Sequence, residues 1–181
     1  MKRTIKLALA AFTFLFCFTT KIFALGAGAQ IGGVPGLLIN QDDIRLENMT
    51  ANVTGTLRME RVPLTIGSGL EFGKIYSDSG FGFSLFADYR TIDVQLINTW
   101  SFYSGFGATV KFLTNDFADW SIATGARFFA GMNWLFYDNY LEIFAQQNIV
   151  PEWIRPLKSS DNVKAAFMLG LPLEAGIRMH F

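Results

Sequence analysis

Nine charged residues recur within otherwise apolar, alternating runs: Arg58, Glu60, Glu71, Asp88, Lys111, Arg127, Glu142, Glu174 and Arg178. Four are cations and five are acids, so gathered on one face they can neutralise one another, as ionic groups must when water is excluded. The same row of charges could instead relay protons or line a narrow conduction path. Residues for covalent or metal chemistry are scarce. The single histidine, His180, stands next to the terminus, and the single cysteine, Cys17, lies in an N-terminal apolar run. One histidine without a thiol makes no metal site, and a Ser-His-acid triad resting on His180 lacks an evident orienting partner. The pairs Gly26/Gly28, Gly67/Gly69, Gly80/Gly82 and Gly105/Gly107 are never completed as Gly-x-Gly-x-x-Gly and none opens a helix, which excludes a nucleotide loop. No enzymatic activity and no cofactor are expected. A formal net charge of zero, with no basic stripe, argues against nucleic acid as a partner.

The charges are held by strands. In the last residues of the chain Leu169, Leu171, Leu173, Ala175, Ile177, Met179 and Phe181 alternate with Gly170, Pro172, Glu174, Gly176, Arg178 and His180. Period two means a strand with two unlike faces. The same alternation returns from Leu25 to Ile31, Ala51 to Glu60, Leu64 to Gly73, Phe81 to Arg90, Trp100 to Phe112, Ile122 to Trp134 and Leu141 to Gln146. That makes eight strands of about 9 to 11 residues, the length a tilted strand needs to cross a bilayer. Val34-Pro-Gly36 is expected to stop the first strand, and residues 91–99 form a connection that could extend its neighbours. The longer connections, 34–49, 74–80, 113–120 and 149–164, all fall at one end. Short turns at the other end are the habit of membrane barrels.

Alternation alone does not choose between a barrel with a greasy interior and one with a greasy exterior. The composition of the second face decides, because it combines the charges with abundant glycine. Glycine weakens a water-exposed strand, yet inside an eight-stranded barrel, where side chains only just fill the space, it makes room for long ionic neighbours. The expected fold is all-β: an eight-stranded antiparallel up-and-down transmembrane β-barrel, residues 25–181, with Phe86, Phe129 and Phe144 also pointing inward. Arginine at Leu57 is then expected to block assembly, and arginine at Thr56 to be tolerated far better. Aromatics gather near strand ends, with Tyr89, Trp100, Trp134, Phe136, Tyr137, Tyr140 and Phe181 at one end and Tyr76, Phe112, Phe117, Trp120 and Trp153 at the other, as interfacial belts require. A soluble exported lipocalin-like binding barrel is the inverted alternative.

Met1 to Lys6 are positive and Leu7 to Phe18 apolar, which reads as a signal peptide over residues 1–24 cleaved after Ala24, with Ala29 as the other candidate. The chain resembles the small eight-stranded outer-membrane proteins of the OmpA, OmpX and OmpW kind. It is more closely similar to a spirochaete family of such barrels through Leu25 to Gly36, Ala87-Asp-Tyr89, Ile122 to Trp134, Leu141-Glu-Ile-Phe144 and Leu169 to Phe181. The resemblance implies a bacterial outer-membrane location and a C-terminal assembly signal carried by Leu173, Ala175, Ile177, Met179 and Phe181. The expected partners are the lipid bilayer and the outer-membrane assembly machinery, with loops 34–49, 74–80, 113–120 and 149–164 expected to face the outside in structural or surface-interaction roles that include contact with a host or envelope ligand. An OmpW-like pore for small or apolar solutes is the alternative function.

Overall fold

The computed structural model describes residues 25–39, 44–59, 62–75, 78–115, 120–157 and 166–181. The signal segment with Ala24, together with Glu60, Tyr76 and Phe117, lies outside the described residues. One antiparallel sheet contains β1 (Leu25–Ile39), β2 (Ile44–Met59), β3 (Leu64–Ile75), β4 (Asp78–Ile97), β5 (Trp100–Thr114), β6 (Trp120–Phe136), β7 (Leu141–Pro156), β8 (Ala166–Gly170) and β9 (Leu173–His180). β8 and β9 are two halves of one crossing, parted at Leu171 and Pro172, since proline has no N–H to give the ladder. The gap is bridged on both sides: Leu171 N–H donates to the Pro35 carbonyl at 2.9 Å and Asn148 N–H to the Pro172 carbonyl at 2.8 Å. β1 pairs with β2 on one side and with β8 and β9 on the other, so eight crossings close into a ring. The eight-stranded antiparallel barrel expected from the alternation is the fold observed.

Strands β1 to β7 are longer than expected, from 12 residues in β3 to 20 in β4. Much of the four segments expected as loops is therefore strand. Residues 34–39 and 44–49 belong to β1 and β2, 74–75 and 78–80 to β3 and β4, 113–114 and 120 to β5 and β6, and 149–156 to β7. Prolines caused the error. Pro35 does not stop β1; it pairs with Met49, and the ladder shifts register just beyond it, between Gly36 and Leu37. Pro151 lies inside β7 where the β6 ladder is interrupted, passing from Gly125↔Glu152 to Phe128↔Ile149. A proline in a strand is tolerated where a ladder bond is already missing.

Residues 91–97 extend β4, with a turn only at 98–99 before β5 begins at Trp100 as expected. A bulge between Arg90 and Ile92 inserts one residue, Thr91, and so reverses the phase of everything after it. Asp93 falls opposite Tyr103, a buried residue, and Val94 opposite Phe102. The insertion keeps Ile92 and Val94 on the apolar side although they sit at even positions, whereas Phe83, Leu85 and Tyr89 sit at odd ones.

Burial alternates as in an inverted globule. Along β3, Thr65, Gly67, Gly69 and Glu71 are buried while Ile66, Leu70 and Phe72 are exposed. The exposed apolar set also takes in Val53, Phe83, Leu85, Phe106, Phe128, Ile143 and Ile177. Aromatic contacts brace the end that holds Leu25 and Phe181, the terminal end: Tyr140 meets Phe181 edge-on with centroids 6.1 Å apart, and Trp100 packs on Trp134.

Candidate functional site: an ion-paired interior sealed at one end

Of the nine charges singled out from sequence, the eight that are described all point into the barrel, in three groups stacked along it. The first is nearest the loop end. Lys111 Nζ lies 3.1 Å from Glu71 Oε1 and 2.9 Å from Glu152 Oε1, so one ammonium on β5 ties β3 to β7. In the second, Arg127 of β6 donates from Nε to Asp88 Oδ1 at 3.0 Å and from Nη2 to Glu174 Oε2 at 3.2 Å. Glu174 also accepts from Asn52, Gln146 and Asn148 at 3.0, 2.9 and 2.8 Å, a shell that satisfies its buried oxygens.

The third group lies at the terminal end around Glu142, which is fully buried. Its Oε2 accepts from Arg178 Nη1 at 2.6 Å and lies 3.1 Å from His180 Nε2; its Oε1 accepts from Asn133 at 2.8 Å and from Arg58 Nη1 and Arg90 Nη2 at 3.2 Å each. Five donors on four strands converge on one carboxylate. The guanidiniums also cover aromatic faces: Arg90 over Tyr103 at 3.7 Å, Arg127 over Phe86 at 4.3 Å and Arg178 over Phe144 at 4.7 Å. Such contacts strengthen when desolvated.

Two interior charges lie outside the nine: Arg90, at the end of the fourth alternating run, and Glu152, inside the segment 149–164 expected as a connection. The signal for Glu152 was present: buried Val150, Glu152 and Ile154 continue the phase of Glu142, Phe144 and Gln146 straight through the proline. With both included, Arg58, Arg90, Lys111, Arg127 and Arg178 face Glu71, Asp88, Glu142, Glu152 and Glu174, five against five.

Glycine and aromatic residues fill the remaining space as cross-strand partners. Phe86 lies against Gly67, Phe129 against Gly105, Tyr103 against Gly131 and Phe144 against Gly176, and a Cβ at any of the four glycines would collide with the facing ring. Among the described residues, an interior void beside Phe129 and Arg178 and another beside Lys111 and Glu174 hold about 10 Å³ each, room for roughly one water. Beyond the Lys111 group, Ile75, Leu113, Ala123, Ile154 and Met168 form a buried apolar cluster across five strands that closes the loop end from within. A lipocalin-like barrel would need the opposite arrangement, an apolar cavity within a polar wall. No cluster of three or more metal-binding side chains occurs among the described residues.

The closed ring, its length and its eight crossings invite comparison with solved structures, and over 87% of this chain and 97% of the other it superimposes on the crystal structure of Neisserial surface protein A with a TM-score of 0.61 at 13% identity. The two chains share a fold. The attachment invasion locus protein of Yersinia pestis, Ail, aligns over 86% of this chain and 98% of its own with a TM-score of 0.42 at 10% identity. No protein-family model and no curated protein matches the sequence.

Proposed function

We propose that this chain is an integral protein of a bacterial outer membrane, exported by a cleaved signal peptide, non-enzymatic, and built as a closed strut that displays the loop end at the surface. One observation carries the reading: an apolar wall faces outward along the middle of the barrel while ten charges, five of each sign, are paired within, the partition that hydrocarbon outside and no water inside would impose. The bilayer is then the principal partner. The alternating Leu173, Ala175, Ile177, Met179 and Phe181, the first four exposed along β9 and the last just beyond it, are the residues an assembly machine would read. The finer kinship with spirochaete barrels rests on the sequence stretches named above. Any host or envelope ligand would meet the shortened connections 40–43, 76–77, 115–119 and 157–165 and the strand ends beside them.

An OmpW-like pore is disfavoured by the apolar seal and by voids that hold single waters. Reconstituted in a planar bilayer, the purified barrel is expected to give no reproducible single-channel steps. Regular steps that persist across preparations would contradict a closed interior.

A further inference from the structure

Three guanidiniums meet at the terminal-end mouth, and they are not neutralised alike. Arg178 is buried and holds Glu142 Oε2 at 2.6 Å. Arg58 and Arg90 each fork between two carboxylates. One arm of each reaches Glu142 Oε1 at 3.2 Å, and the other arm reaches a single oxygen, Asp93 Oδ2, at 3.3 Å from Arg58 and 3.4 Å from Arg90. Among the described residues three cations thus face two carboxylates through these side-chain ion pairs, with His180 beside the deeper one.

The two carboxylates differ in permanence. Glu142 is fully buried, whereas the Asp93 side chain is 44% exposed. Charge-assisted N–H···O bonds typically run about 2.7 to 2.9 Å; both contacts of Asp93 are longer and crowd onto one of its oxygens. Ion pairs this exposed contribute little. Asp93 also rides on a stretch of β4, residues 91–97, that is exposed on both faces and paired only with β5, since the β3 ladder ends at Leu64↔Tyr89. Such a segment opens more easily than the barrel wall.

The geometry points to an oxyanion site of the phosphate class at this mouth, formed by the outward arms of Arg58 and Arg90 and covered by Asp93, which holds the ligand's place with the chain's own carboxylate. A tetrahedral phosphoryl group offers several oxygens at once and can engage both planar forks, which one oxygen of Asp93 does not. Two sources share this chemistry: soluble phosphate and the headgroup of a phospholipid.

The test uses the folded barrel in nonionic detergent at low, constant salt, titrated separately with inorganic phosphate and with short-chain phosphatidylglycerol and followed by calorimetry. Asp93→Asn is expected to bind one of the two saturably and at least about tenfold more tightly than the unaltered chain, because a competing negative charge is removed at contact distance. Adding Arg90→Gln to Asp93→Asn is expected to abolish the gain. Saturation by phosphate itself assigns the site to a soluble ligand, and saturation by the lipid alone assigns it to a headgroup. Should the arginine variant fail to fold, Arg58→Lys on the Asp93→Asn background, which keeps the charge and loses the fork, is expected to weaken binding severalfold. Equal or absent binding in Asp93→Asn and the unaltered chain overturns the proposal, as does tight binding that survives loss of the forks.

Discussion

Alanine in place of Glu142 is expected to prevent closure of the barrel, or to destabilise what closes by about 3 to 5 kcal/mol, the usual cost of removing one partner from a buried ionic group. The expectation is that large because Glu142 is shared. Its removal takes from Arg178 the carboxylate it holds at 2.6 Å and leaves Arg58 and Arg90 with their longer contacts to the part-exposed Asp93, while Asn133 and His180 lose the same acceptor. Glu71 provides the contrast. Its loss leaves Lys111 with Glu152 at 2.9 Å, so Glu71→Ala is expected to cost clearly less than Glu142→Ala. Mobility of boiled against unboiled protein on a detergent gel reports closure, and urea unfolding in lipid vesicles reports stability. A Glu142→Ala barrel within about 1 kcal/mol of the unaltered protein would remove the interior network from the account of stability.

Arginine on the outer wall is the second large effect. Val53 is 56% exposed and pairs with Ile31 and Leu70, both apolar and exposed. An arginine there would sit in hydrocarbon, at a cost of about 2 to 4 kcal/mol near the midplane and less towards either interface. Leu57, closer to the terminal end, is expected to follow with a smaller loss. Folding yield into vesicles measures both, and yields equal to the unaltered chain would put that wall in water. The companion expectation for Thr56 needs correction. Thr56 is almost wholly buried in a filled interior, so arginine at this position meets packed atoms instead of an open polar lumen and is expected to be damaging too.

The Thr56 case marks where sequence stops being informative. Alternation assigned each residue to a face, because one face meets a medium unlike the other and a one-residue slip would exchange them. It said nothing of how full the interior was. Fullness depends on pairings such as Phe144 with Gly176, which follow from strand register across 32 residues of sequence. Proline misled the boundaries: Pro35 and Pro151 read as stops, and Glu152 was lost from the network with the second of them. The bulge at Thr91 hid the outward phase of Ile92 and Val94, since one inserted residue looks like noise in a period-two pattern. The apolar seal was equally hidden. Ile75, Leu113, Ala123, Ile154 and Met168 are apolar residues on the face that elsewhere carries charge, and only the closed ring brings them together.

The partition of faces is tested most directly by nitroxide labels placed one at a time at Val53, Phe106 and Ile177, on three strands of which no two are adjacent, in protein reconstituted into vesicles. All three are at least half exposed in the isolated chain. A wall facing hydrocarbon makes each label readily relaxed by dissolved oxygen and shielded from a water-soluble nickel chelate. Labels relaxed by the chelate as freely as a label in water would contradict it.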